Sequence, residues 1–188
     1  MGFPLKDLVI ATNENNILHR IIKNNDFTLF DVVKTNSPSM DITISSNFER
    51  ILSEFLDTSS LVDLYQKIPN KDHKKNLDEE VHKNLSDLFT SMSASSDEVI
   101  TQIEKTYNNF NLIIDPHTAV GLVCAEKLGI KGAMCLACAH PVKFQDTVKM
   151  SINKELKFEK DFNFDHEEKF DLLKNDYSIM KEYIQNHA

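Results

Sequence analysis

The chain has 188 residues, enough for one ordinary domain with its own hydrophobic core or for a large piece of a longer protein. Hydrophobic residues make up 41 % and charged residues 27 %, a globular balance, and no apolar run approaches the roughly 20 residues that a bilayer span needs, so no membrane partner is expected. A formal charge of -8 argues against nucleic acid as a partner, because binding to phosphate backbones requires clustered Lys and Arg.

The opening Met1-Gly-Phe-Pro-Leu-Lys-Asp7 has no basic region followed by an apolar stretch and a small-residue cleavage site, which predicts a cytoplasmic protein. Three cysteines, Cys124, Cys135 and Cys138, are few and odd in number for a disulfide framework. They are expected to be free thiols in a reducing compartment.

Leu8-Val-Ile-Ala-Thr12 is a short run of branched side chains, followed at once by Asn13-Glu-Asn-Asn16, and reads as a buried strand ending in a turn. Ile17, Leu18, Ile21 and Ile22 then fall at helical spacing, predicting a helix over about 16–23. Met40-Asp-Ile-Thr-Ile-Ser45 alternates like a second strand and leads into a helix over 47–56, with Phe48, Ile51, Leu52 and Phe55 on one face and Ser46 or Asn47 as its cap.

From about residue 58 to 96 the chain turns polar and predicts exposed helices and loops, with Leu61, Leu64, Tyr65 and Ile68, then Val81, Leu85, Leu88 and Phe89, at helical spacing. Further helices are expected over 97–108 and 118–128, the second closed by Gly129, with Leu112-Ile-Ile-Asp-Pro-His117 as the break between them. Gly132-Ala-Met-Cys-Leu-Ala-Cys138 reads as a third buried strand, stopped by His140-Pro141 and followed by a helix over 142–150. A terminal helix is expected over about 165–185.

Three apolar strands separated by helical stretches predict an α/β fold, a parallel sheet with crossover helices in three layers. Three strands make a thin sheet, so the layer is expected to be incomplete without strands from elsewhere. In such sheets ligands bind beyond the carboxyl ends of the strands, which here are Thr12 to Asn15, Ser45 to Asn47 and Cys138 to His140. The plainer reading is that these Asn and Ser residues cap the helices that follow.

Cys135 and Cys138 do not suggest a metal site. Residues three apart on a strand face opposite sides, so their sulfurs would diverge rather than meet at one ion. Cys138 and His140 share a face, but no orienting group accompanies them, and no catalytic residue is assigned. Only Gly2, Gly121, Gly129 and Gly132 occur, and none forms the glycine-rich loop that lets backbone N–H groups converge on a phosphate.

Five segments together resemble the threonine synthase family: residues 8–20, Ser37-Pro-Ser-Met-Asp-Ile42, Ser45-Ser-Asn-Phe-Glu-Arg50, Asp115-Pro-His-Thr-Ala-Val-Gly121 and Ala139-His-Pro-Val-Lys-Phe144. They occur in the family's order, and the resemblance covers about 1–150 well and the tail more loosely. It implies a two-domain α/β architecture of fold type II and pyridoxal 5'-phosphate as cofactor. The reaction it implies turns O-phospho-L-homoserine and water into L-threonine and phosphate.

The resemblance further implies that the Schiff-base lysine and the phosphate-binding loop lie upstream, so that this is the C-terminal part of the enzyme, inactive alone, with the N-terminal half as its partner. Residues 1–150 would be the C-terminal part of the cofactor-binding domain, with a helical insertion at about 58–110, and 151–188 a helical tail. Cys138 stands where the family has a threonine whose hydroxyl meets the pyridine nitrogen, and a thiol is the weaker donor. Asn13, Asn15, Ser39, Asp41 and His140 sit in matching motifs and are expected to line the site. Asn16, where the family often has Asp, should cap equally well. Two other classes stand beside this reading: a non-catalytic binding module derived from the family, and an independent metal-binding protein built on the cysteines.

Overall fold

The computed structural model describes residues 5–67, 76–154 and 167–187. Strand β1 (Leu8–Thr12) and strand β2 (Phe89–Ser93) run parallel, in register from Leu8 opposite Phe89 to Thr12 opposite Ser93. Between them come α1 (Ile17–Asn24), single turns at Pro38–Met40 and Ser46–Phe48, α2 (Glu49–Leu52), α3 (Thr58–Lys67) and α4 (Glu79–Leu88). After β2 follow α5 (Ser96–Phe110), α6 (Pro116–Lys127), a turn at Pro141–Phe144, α7 (Gln145–Ile152) and α8 (Tyr177–His187). No helix among the described residues is long and apolar enough to cross a membrane.

The chain divides into two compact units, Met1–Leu156 and Lys157–Ala188. In the first, side chains alternate across the sheet and split the core in two. Ile10 and Phe89 pack with Ile21, Ile22, Phe48, Leu52, Val81 and Leu85 on one side, where α1 and α4 lie. Ala11 and Met92 pack with Val99, Ile103, Val120, Cys124 and Val148 on the other, among α5, α6 and α7. Helix, sheet and helix therefore form the three layers of a mixed α/β fold around a small parallel sheet. In the second unit, Asp176 accepts the amides of Ser178 and Ile179 at the start of α8, and Tyr183 stacks on His187 one turn later.

Local chemistry explains the ends of the elements. Ser95 and Glu98 form a reciprocal capping box at the start of α5. Asp115 accepts the amides of His117 and Thr118, and Pro116, which has no N–H to leave unpaired, occupies the first position of α6. Asn25, Asn111 and Asn153 close α1, α5 and α7 in the left-handed conformation, with φ of 53°, 52° and 48°, and Gly129 follows α6 at 66°.

Two predicted strands are not strands. Residues 40–45 fold as a loop, because Asp41 turns its carboxylate onto the Thr35 amide and the Asn13 and Asn15 side chains, and the turn at Pro38–Met40 breaks the ladder before it can form. Residues 132–138 belong to no helix or strand, having no pairing partner among the described residues. Conversely Phe89–Ser93, read as a helix end and a polar loop, is the strand that pairs with β1, and tertiary pairing overrides its serine-rich composition.

The helix expected over 47–56 is a turn followed by the short α2, although Phe48 and Leu52 are buried as anticipated and Ile51 and Phe55 pack beside them. Neither Ser46 nor Asn47 caps it: both lie inside the turn, and the preceding Ser45 makes no side-chain cap bond. In the tail, 167–176 is not helical and helix begins only at Tyr177. The predicted positions Ile68 and 165–166 lie outside the described residues.

Candidate functional site

The loop that leaves β1 meets residues 33–41 through a dense set of side-chain hydrogen bonds. Asn13 is 2 % exposed, and its Nδ2 stands 2.8 Å from Thr35 Oγ1, 3.0 Å from Ser37 Oγ and 2.9 Å from Asp41 Oδ1. Its Oδ1 accepts the Asn15 amide at 2.9 Å, a turn that asparagine makes readily with the backbone two residues on. Asn15 clasps Val33 from both sides, donating to its carbonyl and accepting its amide at 2.8 Å each, and donates again to Asp41 Oδ1 at 3.0 Å. The Asp41 carboxylate also accepts the Thr35 amide and hydroxyl at 2.8 and 2.7 Å. It is therefore gathered by neutral donors from Asn13, Asn15 and Thr35.

From this loop a second chain of contacts reaches the N-terminus of α6. The Ser39 amide donates to His117 Nε2 at 3.0 Å, and His117 Nδ1 lies 2.9 Å from Asp115 Oδ1. Asp115 is 1 % exposed. Burial pushes its carboxyl up, but donors from the His117 ring, the Thr118 hydroxyl and the amides of both residues pull harder, and the net value is below that of an ordinary aspartate. The His117 ring packs against Phe144, with centroids 4.5 Å apart. Phe144 ends the turn whose start His140 caps by accepting the Val142 amide at 3.2 Å.

Of the residues expected to line a site, Asn13, Asn15 and Asp41 share one network, and Ser39 joins it to α6 by its backbone. Cys138 is exposed, and Ser45 to Asn47 form a separate turn. Thr35, Ser37, Asp115 and His117 complete the arrangement; the last three lie in the motifs that carry the resemblance but are not among the residues expected to line a site. The Asp-Pro-His start of α6 was the available signal, since Asp before Pro is a strong helix-initiating pair. Asn16, expected to cap α1, makes no cap bond and instead accepts from Arg20 Nε at 3.2 Å.

Beside Asn15 lies a cleft of about 280 Å³, also lined by Glu14, Arg20, Phe30, Val33 and Ile42. Its guanidinium is committed to protein groups: Arg20 donates to Asp26 at 2.9 Å and to the Thr28 carbonyl at 2.6 Å, and lies 4.3 Å over the Phe30 ring. No group of three or more His, Cys, Asp or Glu that could hold a metal ion occurs among the described residues. Cys124 is buried, donates to the Met92 carbonyl at 3.3 Å, and burial pushes its thiol up to about 11. The arrangement positions a loop.

Comparison with known proteins agrees with this architecture. A family model described as threonine synthase, C-terminal, matches residues 118–184. The threonine synthase of Saccharomyces cerevisiae is 36 % identical over 184 residues, covering 86 % of this chain and 36 % of the relative. That of Pseudomonas aeruginosa is 30 % identical over 200 residues, covering 100 % and 42 %. The crystal structure of PLP-bound threonine synthase from Brucella melitensis superposes with a TM-score of 0.76 at 32 % identity, covering all of this chain and 41 % of that one. The yeast crystal structure gives 0.73 at 36 %, covering 88 % and 37 %.

The fold is accordingly that of the fold type II enzymes that use pyridoxal phosphate. Within that class the chain is similar to the C-terminal part of the threonine synthases. It spans about two fifths of the length of the curated relatives it matches.

Proposed function

We propose that this chain is the C-terminal part of a threonine synthase and works in the conversion of O-phospho-L-homoserine and water to L-threonine and phosphate, with pyridoxal 5'-phosphate as the cofactor. The observation that carries the reading is the 36 % identity to the yeast enzyme along 86 % of this chain. In this reading residues 1–150 complete the cofactor-binding domain and 151–188 form a tail.

The described residues do not by themselves fit the cofactor. Gly121 lies within α6, and Gly129 and Gly132 stand apart on a turn with nothing within 4 Å of where a side chain would be, so no cradle of convergent amides exists for a phosphate. Cys138, whose exposed thiol could donate weakly to a ring nitrogen, is the single contact assigned, and the Schiff-base lysine is assigned to the part of the enzyme that this chain does not span. What the chain's own residues do is hold shape: Asn13, Asn15 and Asp41 fix the loop 33–41, and His117 ties Ser39 to α6.

The test mixes the purified chain with pyridoxal phosphate and then with O-phospho-L-homoserine. The expected result is no lysine-linked cofactor absorption and no phosphate release above background. Turnover by the chain alone would overturn the assignment of the lysine elsewhere. Failure to release phosphate and form threonine when the remaining part of a threonine synthase is supplied would favour the non-catalytic binding module instead.

A further inference from the structure

Residues 132–138 carry the composition of a buried strand without a strand's surroundings. The run Gly-Ala-Met-Cys-Leu-Ala-Cys is apolar throughout, yet Met134 is 77 % and Leu136 78 % exposed. Among the described residues, no backbone hydrogen bond ties 134–138 to a neighbour. The run is nevertheless seated: Cys135, between the two bare side chains, is half-buried, and its Cβ and Sγ stand 3.7 Å from where a side chain on Gly121 would begin. One face thus rests on α6 while the other is open. That is the state of a parallel strand with the packing layer on one side in place and its pairing strand and opposite cover missing, since strands of parallel sheets are buried on both faces.

We propose that residues 132–138 are a docking edge for the part of a threonine synthase that this chain does not span. A strand of that part pairs with the backbone of 134–138, and its apolar side chains cover Met134 and Leu136. The proposal rests on reading the chain as the C-terminal part of such an enzyme. The occupant follows from coverage: the curated relatives align to this chain over only 36 % and 42 % of their length, so most of each relative has no counterpart here, and an unpaired apolar run within the aligned part needs a strand from it. Left open, such an edge also invites association with other chains.

The full chain is mixed with the N-terminal part of the Saccharomyces cerevisiae enzyme, and separately with that of the Pseudomonas aeruginosa enzyme. Complex formation is followed by sedimentation and the backbone amides by hydrogen exchange. Expected are rapid exchange at 134–138 in the chain alone, slowing of about a hundredfold or more in the complex, and a Leu136→Lys variant that binds about tenfold or more weakly. Val62→Lys, at another exposed position, serves as the control and is expected to bind normally.

Circular dichroism establishes that Leu136→Lys is folded, which its exposure favours. A complex that forms with exchange at 134–138 unchanged, or that tolerates Leu136→Lys, overturns the docking edge and leaves the reading of the chain standing. No complex with either partner overturns both. Protection of 134–138 by self-association in the chain alone would give the edge to a second copy and overturn the proposal.

Discussion

His117 Nδ1 lies 2.9 Å from the buried carboxylate of Asp115, while the opposite nitrogen of the same ring accepts the Ser39 amide at 3.0 Å. Because a backbone amide can only donate, Nε2 must carry the lone pair and Nδ1 the proton, which it gives to Asp115. Two residues on one turn of α6 thereby set the orientation of a loop 78 positions upstream.

This tautomer is directly measurable. Nitrogen-15 spectra of the folded chain are expected to show His117 protonated at Nδ1 and unprotonated at Nε2. In His117→Phe, which keeps a ring beside Phe144 but no acceptor, exchange of the Ser39 amide should accelerate and stability should fall by about 1–3 kcal/mol, the cost of taking a donor from the buried Asp115 carboxylate. An unchanged Ser39 amide would show that the contact does not hold the loop.

Asp115 should make the fold sensitive to acid. Its carboxyl is held below the ordinary value of roughly 4, so in that range the unfolded chain binds more protons than the native one. The stabilisation is therefore complete above about pH 4 and lost as pH falls through the lower native value. Urea denaturation at stepped pH should show this loss in the native sequence and a shallower one in Asp115→Asn, which is also expected to cost about 1–3 kcal/mol at neutral pH.

Asn13→Ala removes the centre of the loop network. Its side chain reaches oxygens of Thr35, Ser37 and Asp41 and also accepts the Asn15 amide. A loss of about 1–3 kcal/mol is expected, together with faster exchange at the amides of Asn15 and Thr35, which separates an effect on this loop from a general weakening.

The two halves of the core can be probed separately. Leu85 and Ile103 are both 0 % exposed, one on each side of the sheet, and truncation of either to Ala is expected to cost about 2–5 kcal/mol by chemical denaturation. Leu88, one turn further along α4 but 46 % exposed, should tolerate the same change within about 0.5 kcal/mol.

The cysteines should differ in reactivity. Cys138 is exposed, Cys135 is half-buried with its thiol pushed up by burial, and Cys124 is enclosed with its thiol at about 11. A thiol reagent followed by mass spectrometry is expected to modify Cys138 first, and Cys124 only after denaturant is added, because only the accessible thiolate attacks.

How much could be read without coordinates differed from element to element. The strand at Leu8–Thr12, the amphipathic face of α1 and the buried faces around Phe48 and Leu52 followed from local periodicity, because each is written in residues that are neighbours in sequence. The likeness to the threonine synthases was likewise legible in short motifs in order, and several of those motifs mark the loops of the network, with Asn13, Asn15 and Asp41 among them.

What periodicity could not decide was pairing. Phe89–Ser93 is polar enough to pass for a loop and becomes a strand only because β1 lies beside it, while residues 132–138 look like a strand and find none to pair with among the described residues. The partnership of His117 with Ser39 was equally invisible, being a contact across 78 positions that no spacing rule encodes. Local sequence sets which conformations are cheap, but a hydrogen bond between distant segments exists only once the chain has closed around it.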